Sequence, residues 1–308
     1  MGMDKKGVIM SEKQAVEYCK KLVNMPYNKF NLINYREKLS KLLKIKINFQ
    51  ETKLTGPIKL MSGQHKNAGI VFTNDTSAKK RRIILVGKGI LFDAGGYDIK
   101  PSGNFADMKI DMAGMASAFS VASQLPAKNL VTYCPVSTNL VANSQILPGD
   151  EIKMGSKLVT ISNTDAEGRL ILAEALTSLP QTSKDIIVTV ATLTGAVGQA
   201  IGEKATGVFT FNDDLYQKYK KSSDKAKELA WRLPLWEYLD KKHFKKRRIK
   251  NSVNDKPGAS VAALFLKQFI RYPDNWIHLD IAYSCWDKKK EKATGQPVKT
   301  LINFIKTL

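Results

Sequence analysis

Two carboxylates and a guanidinium fall within five residues in the stretch Asn163-Thr164-Asp165-Ala166-Glu167-Gly168-Arg169-Leu170. Carboxylates so close together offer hard oxygen ligands to a divalent cation, and the arginine beside them offers a fixed positive fork to an anion. A second reading stays open at this point: Asp-Ala-Glu also suits the N-cap and first turn of a helix, where negative charge is favoured. Further ionisable groups lie upstream. Lys88, Asp93, Lys100 and Asp111 follow the apolar run Ile83-Ile84-Leu85-Val86, interleaved with Gly87, Gly89, Gly95, Gly96 and Gly114. Those glycines let the backbone turn tightly and approach a ligand closely. For Lys88 and Lys100, ion pairing with the neighbouring acids is the plain alternative to chemistry. A phosphate-binding loop around Lys88 is disfavoured, because Arg82 stands where glycine is required and no Ser or Thr follows the lysine.

Hydrophobic patterning shows what must position these groups. Leu158-Val159-Thr160-Ile161 reads as a strand and Leu170 to Leu176 as a helix of good formers, so the octapeptide is a strand-to-helix loop. Sites of α/β proteins sit at such loops. Strand-like runs recur at Ile83–Val86, Val131–Pro135, Leu158–Ile161, Ile186–Ala191 and Trp276–Ala282. Helical stretches alternate with them at Ala15–Val23, Phe30–Leu43, Ala113–Gln124, Leu170–Leu179, Asp214–Trp231 and Ala259–Ile270. That order predicts an α/β fold with helices flanking a mixed, mostly parallel central sheet. His65, His243 and His278 all lie outside the acidic motifs, which argues against a histidine zinc site.

These residues match a known family. The chain resembles the M17 leucyl aminopeptidases, whose signature is Asn-Thr-Asp-Ala-Glu-Gly-Arg-Leu, here Asn163 to Leu170. The match takes in Val86-Gly87-Lys88-Gly89, Phe92-Asp93-Ala94-Gly95-Gly96, Ile99-Lys100-Pro101, Asp111-Met112 and Ala191 to Ala196. It continues through His278 to Ala282 and Thr294 to Pro297, nearly the whole chain. The resemblance implies a di-metal catalytic domain over residues 13–308, with 1–12 a remnant or linker in place of the family's usual separate N-terminal domain. A naturally short protein and a truncated one both fit that pattern.

By the same resemblance, two divalent ions are expected, Mn or Zn with Mg or Co admissible at the exchangeable site, together with bicarbonate. Lys88, Asp93, Asp111 and Glu167 would hold the tight metal, and Asp93, Asp165 and Glu167 the exchangeable one. A hydroxide shared by the metals would attack the scissile carbonyl, while the free α-amine of the substrate takes a coordination position. Lys100 would stabilise the oxyanion and Arg169 would hold the bicarbonate base. Leu193 would bind substrate through its backbone carbonyl, and Met108 and Thr192 would line the first side-chain pocket, with Gly195 permitting close approach. Methionine suits Leu-like side chains there, although plain packing is the alternative for Met108. The family's assembly implies a homo-hexamer acting on peptides. Two positions depart from the pattern: Ala94 replaces a common serine, and Tyr283 a common glycine, which either narrows the groove or alters packing.

Composition bounds the rest. A chain of 308 residues with 43% hydrophobic content has length for one large domain and a sizeable core. It has no apolar stretch approaching a membrane span, and Met1 to Met10 lacks the long apolar region of a signal peptide, so no membrane association is expected. Cys19, Cys134 and Cys285, odd in number and widely separated, read as reduced thiols, two of them buried, in a cytoplasmic protein. Net charge is +21, with runs at Lys79 to Arg82, Lys241 to Arg248 and Lys288 to Lys290. A lysine-rich solvated surface is one cause. Binding to DNA or another polyanion is the other, with Lys241 to Arg248, which carries Phe244 among its bases, as the best patch.

Overall fold

Aliphatic runs uninterrupted by polar residues make strands that must be covered on both faces. The computed structural model describes residues 11–73, 81–101, 105–125 and 129–308, so Met1–Met10 and the Lys79-Lys80 part of the first basic run lie outside the described residues. Its strands are β1 (Asn48–Gln50), β2 (Gly69–Phe72), β3 (Ile83–Gly87), β4 (Gly89–Asp93), β5 (Leu130–Asn139), β6 (Glu151–Met154) and β7 (Lys157–Thr160). They continue as β8 (Ile186–Ala191), β9 (Thr206–Phe209), β10 (Ala230–Arg232), β11 (Arg248–Lys250), β12 (Trp276–Asp280), β13 (Trp286–Asp287) and β14 (Lys292–Ala293). The helices are α1 (Glu12–Asn24), α2 (Tyr35–Leu43), α3 (Pro57–Met61), α4 (Ala113–Gln124) and α5 (Glu167–Ser178). Then come α6 (Ala196–Ile201), α7 (Asp213–Ala226), α8 (Glu237–Phe244), α9 (Gly258–Lys267) and α10 (Val298–Ile305).

The central sheet runs β1-β2-β5-β3-β8-β12-β9-β10, with β4 also paired to β5. Its middle is parallel: β5 to β3, β3 to β8 and β8 to β12. Antiparallel pairs join β1 to β2, β2 to β5 and β12 to β9. The fold is therefore α/β with a mixed, mostly parallel sheet, as its alternating pattern predicts. Every residue of β3, β5, β8 and β12 is buried. Helix α4 packs on β3, β5 and β8 with α1 and α10 against it, and α5 packs on β5 and β3 with α3 and α9 against it.

Helix α4 lies unusually near the strand ends, and glycine sets that distance. A Cβ on Gly114 would stand 2.1 Å from the Val190 carbonyl oxygen, and one on Gly87 would stand 2.4 Å from that of Gly114. Both gaps are far inside contact distance, so no larger residue fits without displacing backbone.

Several expected elements differ in extent or partner. Leu158–Ile161 does form a strand, β7, but in a separate three-stranded sheet ordered β11-β7-β6. The expected helix over Asp214–Trp231 stops at Ala226, where Lys227 turns left-handed at φ 58°, and Trp231 falls in edge strand β10. The stretch from Phe30 becomes helical only at Tyr35, because the Asn31 and Asn34 side chains bond local amides instead. Helix α9 ends at Lys267 rather than Ile270. All three cysteines are buried and free, where two buried were expected.

Short helix α3 docks on α5 through Glu174, whose carboxylate accepts the Ile58 amide at 2.8 Å. Burial pushes the Glu174 carboxyl up to about 7, against the pull of its bond to the Ile58 amide and the charge of Lys53. Because the folded state holds this proton more tightly than the unfolded chain, its contribution to stability falls as pH rises from about 4.5 through about 7. Glu174→Gln should flatten that fall. Denaturant titrations should show the variant gaining on the parent by up to about 3 kcal/mol across this window; a constant gap would refute the assignment.

Candidate active site and metal centre

Lys88 occupies the single residue between β3 and β4. Its amide donates to Val190 O at 2.9 Å and its carbonyl accepts from Met115 N at 2.9 Å, which pins the backbone between β8 and α4. The side chain crosses Gly168, where an added Cβ would lie 2.5 Å from Lys88 Cε. Its Nζ then stands 2.7 Å from Asp111 Oδ1, 2.7 Å from Glu167 Oε1 and 2.8 Å from the Thr192 carbonyl oxygen. Asp93 ends β4, and its Oδ1 accepts from Gly95 N at 2.9 Å and Asn139 Nδ2 at 2.8 Å. Its Oδ2 lies 2.6 Å from Lys100 Nζ, which also pairs with Asp165. Asp111 closes a 3-10 segment (Ala106–Met112) and accepts from Thr192 Oγ1 at 2.7 Å. Glu167 opens α5, so the helix starts inside the signature octapeptide; the N-cap is Ala166 with no side-chain cap bond, and of the capping reading only the acidic first turn at Glu167 holds.

The loop that carries Asp165 is held by residues that spacing alone did not single out. Asn139 Nδ2 also donates to Thr164 O at 3.1 Å, and Thr164 Oγ1 donates to Gly95 O at 2.7 Å. Asn251, at the end of β11, accepts at Oδ1 from Ser162 N (2.8 Å), Ser162 Oγ (3.1 Å) and Asn163 N (3.3 Å). Its Nδ2 donates to Asn163 O at 2.7 Å and Ala166 O at 3.3 Å, and its carbonyl accepts from Arg169 at 2.9 Å. Asp280 does similar work for the opposite wall, accepting from Leu193 N (3.1 Å), Thr194 Oγ1 (2.7 Å) and Ala282 N (3.2 Å). The one sequence signal was the place of Asp280 within His278 to Ala282.

Four carboxylates here face two ammonium groups, leaving an excess of negative charge; Asp93, Asp111 and Glu167 are buried and Asp165 is half-buried. Burial raises the pKa of Asp93 and Asp111, and in both the charge of Glu167 adds to the rise while the Lys88 charge resists it. Burial and Glu167 raise Asp165 likewise. Burial works against the charge on Glu167 too, but the pull of Lys88 and Lys100 outweighs it and lowers that pKa. For Lys88 burial opposes the charge, yet Asp111, Glu167 and Asp93 together prevail and raise it. Lys100 behaves in the same way, raised by Asp93, Glu167 and Asp165 against burial. Asp111 Oδ2 and Glu167 Oε2 are buried with no hydrogen-bond partner. One oxygen each from Asp93, Asp111 and Glu167 lies within 4.8 Å of the others. Orphaned carboxylate oxygens converging on one point fit a divalent cation, which supplies the positive charge and the bonds they lack.

Lys88, Asp93, Lys100, Asp111, Asp165 and Glu167 line one end of a cavity of about 480 Å³, and Met108, Thr192, Leu193 and Gly195 line the same cavity. Arg169 is not among its lining residues. It is half-buried on the first turn of α5, where burial lowers its pKa to about 10 against the pull of Glu167 and Asp280. His278 is buried in β12 and bonded to Thr189 Oγ1 at 2.9 Å; burial drops its pKa to about 3. The basic run Lys241 to Arg248 spans α8 and β11, and Lys241, Lys242 and Arg248 pair with Glu237, Asp255 and Glu151. Local neutralisation of this kind is what a solvated face shows. Among the described residues no helix is long and apolar enough to cross a membrane.

The model of the cytosol aminopeptidase family, catalytic domain, matches residues 17–302. The chain belongs to that family. A probable cytosol aminopeptidase of Picosynechococcus is 33% identical over 95% of this chain and 64% of its own length. One from Chloroherpeton thalassium is 35% identical over 90% of this chain and 57% of its own, and one from Prochlorococcus marinus 41% identical over 74% and 49%. The chain thus spans about half to two thirds of the length of the curated relatives it matches. As a member of the cytosol aminopeptidase family it carries the M17 signature on the loop that Asn251 fixes, with Asp165 and Glu167 lining the cavity.

Replacing Lys88 by methionine would leave the carboxylates of Asp111 and Glu167 buried against each other. In chelator, Lys88→Met should cost about 3–5 kcal/mol of unfolding free energy. A loss below about 1 kcal/mol in denaturant melts would mean that the pair carries no such weight.

Proposed function

We propose that this chain is a metal-dependent aminopeptidase that releases N-terminal amino acids from peptides, with apolar, Leu-like residues preferred. The observation that carries the reading is the convergence of Asp93, Asp111 and Glu167, two of them with orphaned oxygens, on the wall of a cavity large enough for a peptide end. In this reading Lys88, Asp93, Asp111 and Glu167 hold one divalent ion and Asp93, Asp165 and Glu167 the second, Mn or Zn, with Mg or Co admissible at the latter. When bound, the pair supplies Lewis acidity and lowers the pKa of water at the site.

The chain's own groups do the rest. Lys88 must give up its proton to act as a ligand. Lys100, whose raised pKa keeps it charged, is released from its carboxylates to face the substrate carbonyl, where a donor aimed at developing negative charge lowers the barrier. Arg169 keeps its charge at neutral pH even with its pKa lowered, and anchors bicarbonate as proton carrier. The Leu193 carbonyl, set in place by Asp280 through the neighbouring amides, receives the substrate backbone, and Met108, Thr192 and Gly195 border its first side chain. A cytoplasmic homo-hexamer belongs to the same proposal and is open to light scattering.

The test is hydrolysis of a leucyl chromogenic amide after loading with Mn²⁺. Turnover is expected. Glu167→Ala should abolish both metal uptake and turnover, whereas Lys100→Met should lower kcat about 10²- to 10³-fold with metal content retained. If the reconstituted protein shows no turnover in any assembly state, the peptidase reading falls.

A further inference from the structure

Beyond the metal cluster, the cavity is bounded by an aromatic wall. Tyr283 follows β12 and lines the cavity together with Gly195, Met108 and Thr192. Its ring lies against α6: a Cβ on Gly198 would stand 2.4 Å from Tyr283 Cε2, and one on Gly195 would stand 3.9 Å from the phenol oxygen. On the ring the Lys288 ammonium sits 4.7 Å from the centroid, and it is itself 3.2 Å from Glu203 Oε1 just after α6. The phenol therefore fills the slot that Gly195 and Gly198 leave open, and the exposed Lys288–Glu203 pair lies over its ring. Among the described residues its hydroxyl has no side-chain or backbone hydrogen-bond partner, so the ring is held by packing and charge. Backbone bonding closes the turn behind it, with Trp286 N donating to Tyr283 O at 3.2 Å.

We propose that Tyr283 is a specificity-determining residue that shortens the pocket for the substrate's first side chain and selects against large aromatic N-terminal residues. This inference rests on the peptidase reading of the same cavity. The wall acts by volume. A ring that lines the cavity with Met108 takes space that a large first side chain would need, and size discrimination in an apolar pocket shifts selectivity about 10- to 200-fold.

Metal-loaded wild type, Tyr283→Gly and Tyr283→Phe are titrated calorimetrically with L-leucine hydroxamate and L-tryptophan hydroxamate, which share a chelating head and differ only in side chain. Tyr283→Gly should raise the tryptophan-to-leucine affinity ratio at least about ten-fold, and Tyr283→Phe should leave it within about three-fold of wild type. An unchanged ratio in a folded Tyr283→Gly overturns the proposal. Should that variant fail to fold, Tyr283→Ala, which also removes the ring, should move the ratio the same way; an unchanged ratio there overturns the proposal. Wild-type turnover of leucyl amide, measured separately, reports on the peptidase reading, so a protein that binds with the stated selectivity but hydrolyses nothing separates the two. If neither hydroxamate binds, the inference falls with that reading.

Discussion

Burying like charges is the constraint on which the rest of this structure depends. One oxygen each from Asp93, Asp111 and Glu167 lies within 4.8 Å of the others, and among the described residues Lys88 and Lys100 pair with them. In a low-dielectric site such repulsion is severe, so the carboxylates stay together only because rigid elements leave them nowhere to go. Those elements come from separate parts of the sequence: a strand end for Asp93, a 3-10 segment for Asp111 and a helix start for Glu167.

Rigidity follows from the glycines at the crossing of β3, β8 and α4. They bring backbone against backbone and leave Lys88 a channel over Gly168. The aliphatic strands therefore do more than fill a core. They fix the spacing from which the charged end is built, so a side chain at Gly114, whose Cβ would stand 2.8 Å from Lys88 N, would displace the acidic cluster by way of the backbone.

Much of this was legible because it is local. The run Ile83 to Val86 and the small-residue stretch Ala113 to Gln124 announce a strand and a helix by composition alone, and the helix has the bounds expected. Type and spacing marked the acidic residues as candidates, and the family resemblance singled them out from a helix cap. Partnership was not legible: Leu158 to Ile161 reads as a strand whichever sheet receives it, and nothing local says that β11 and β6 flank it. Trp231 reads as helical until the left-handed Lys227 breaks the run. Arg169 was found from its motif, yet its neighbour in space, Asn251, lies 82 positions away and belongs to no pattern.

That asparagine concentrates the loop's hydrogen bonding in one carboxamide. Its oxygen accepts from Ser162 and Asn163 while its nitrogen donates to Asn163 and Ala166, so an aspartate would keep the first set and forfeit the second. The shape of the signature loop thus hangs on the residue that follows β11 of the three-stranded sheet, just after the lysine-rich run. A substitution at position 251, itself buried, would carry a disturbance at the edge of the small sheet directly into the acidic loop.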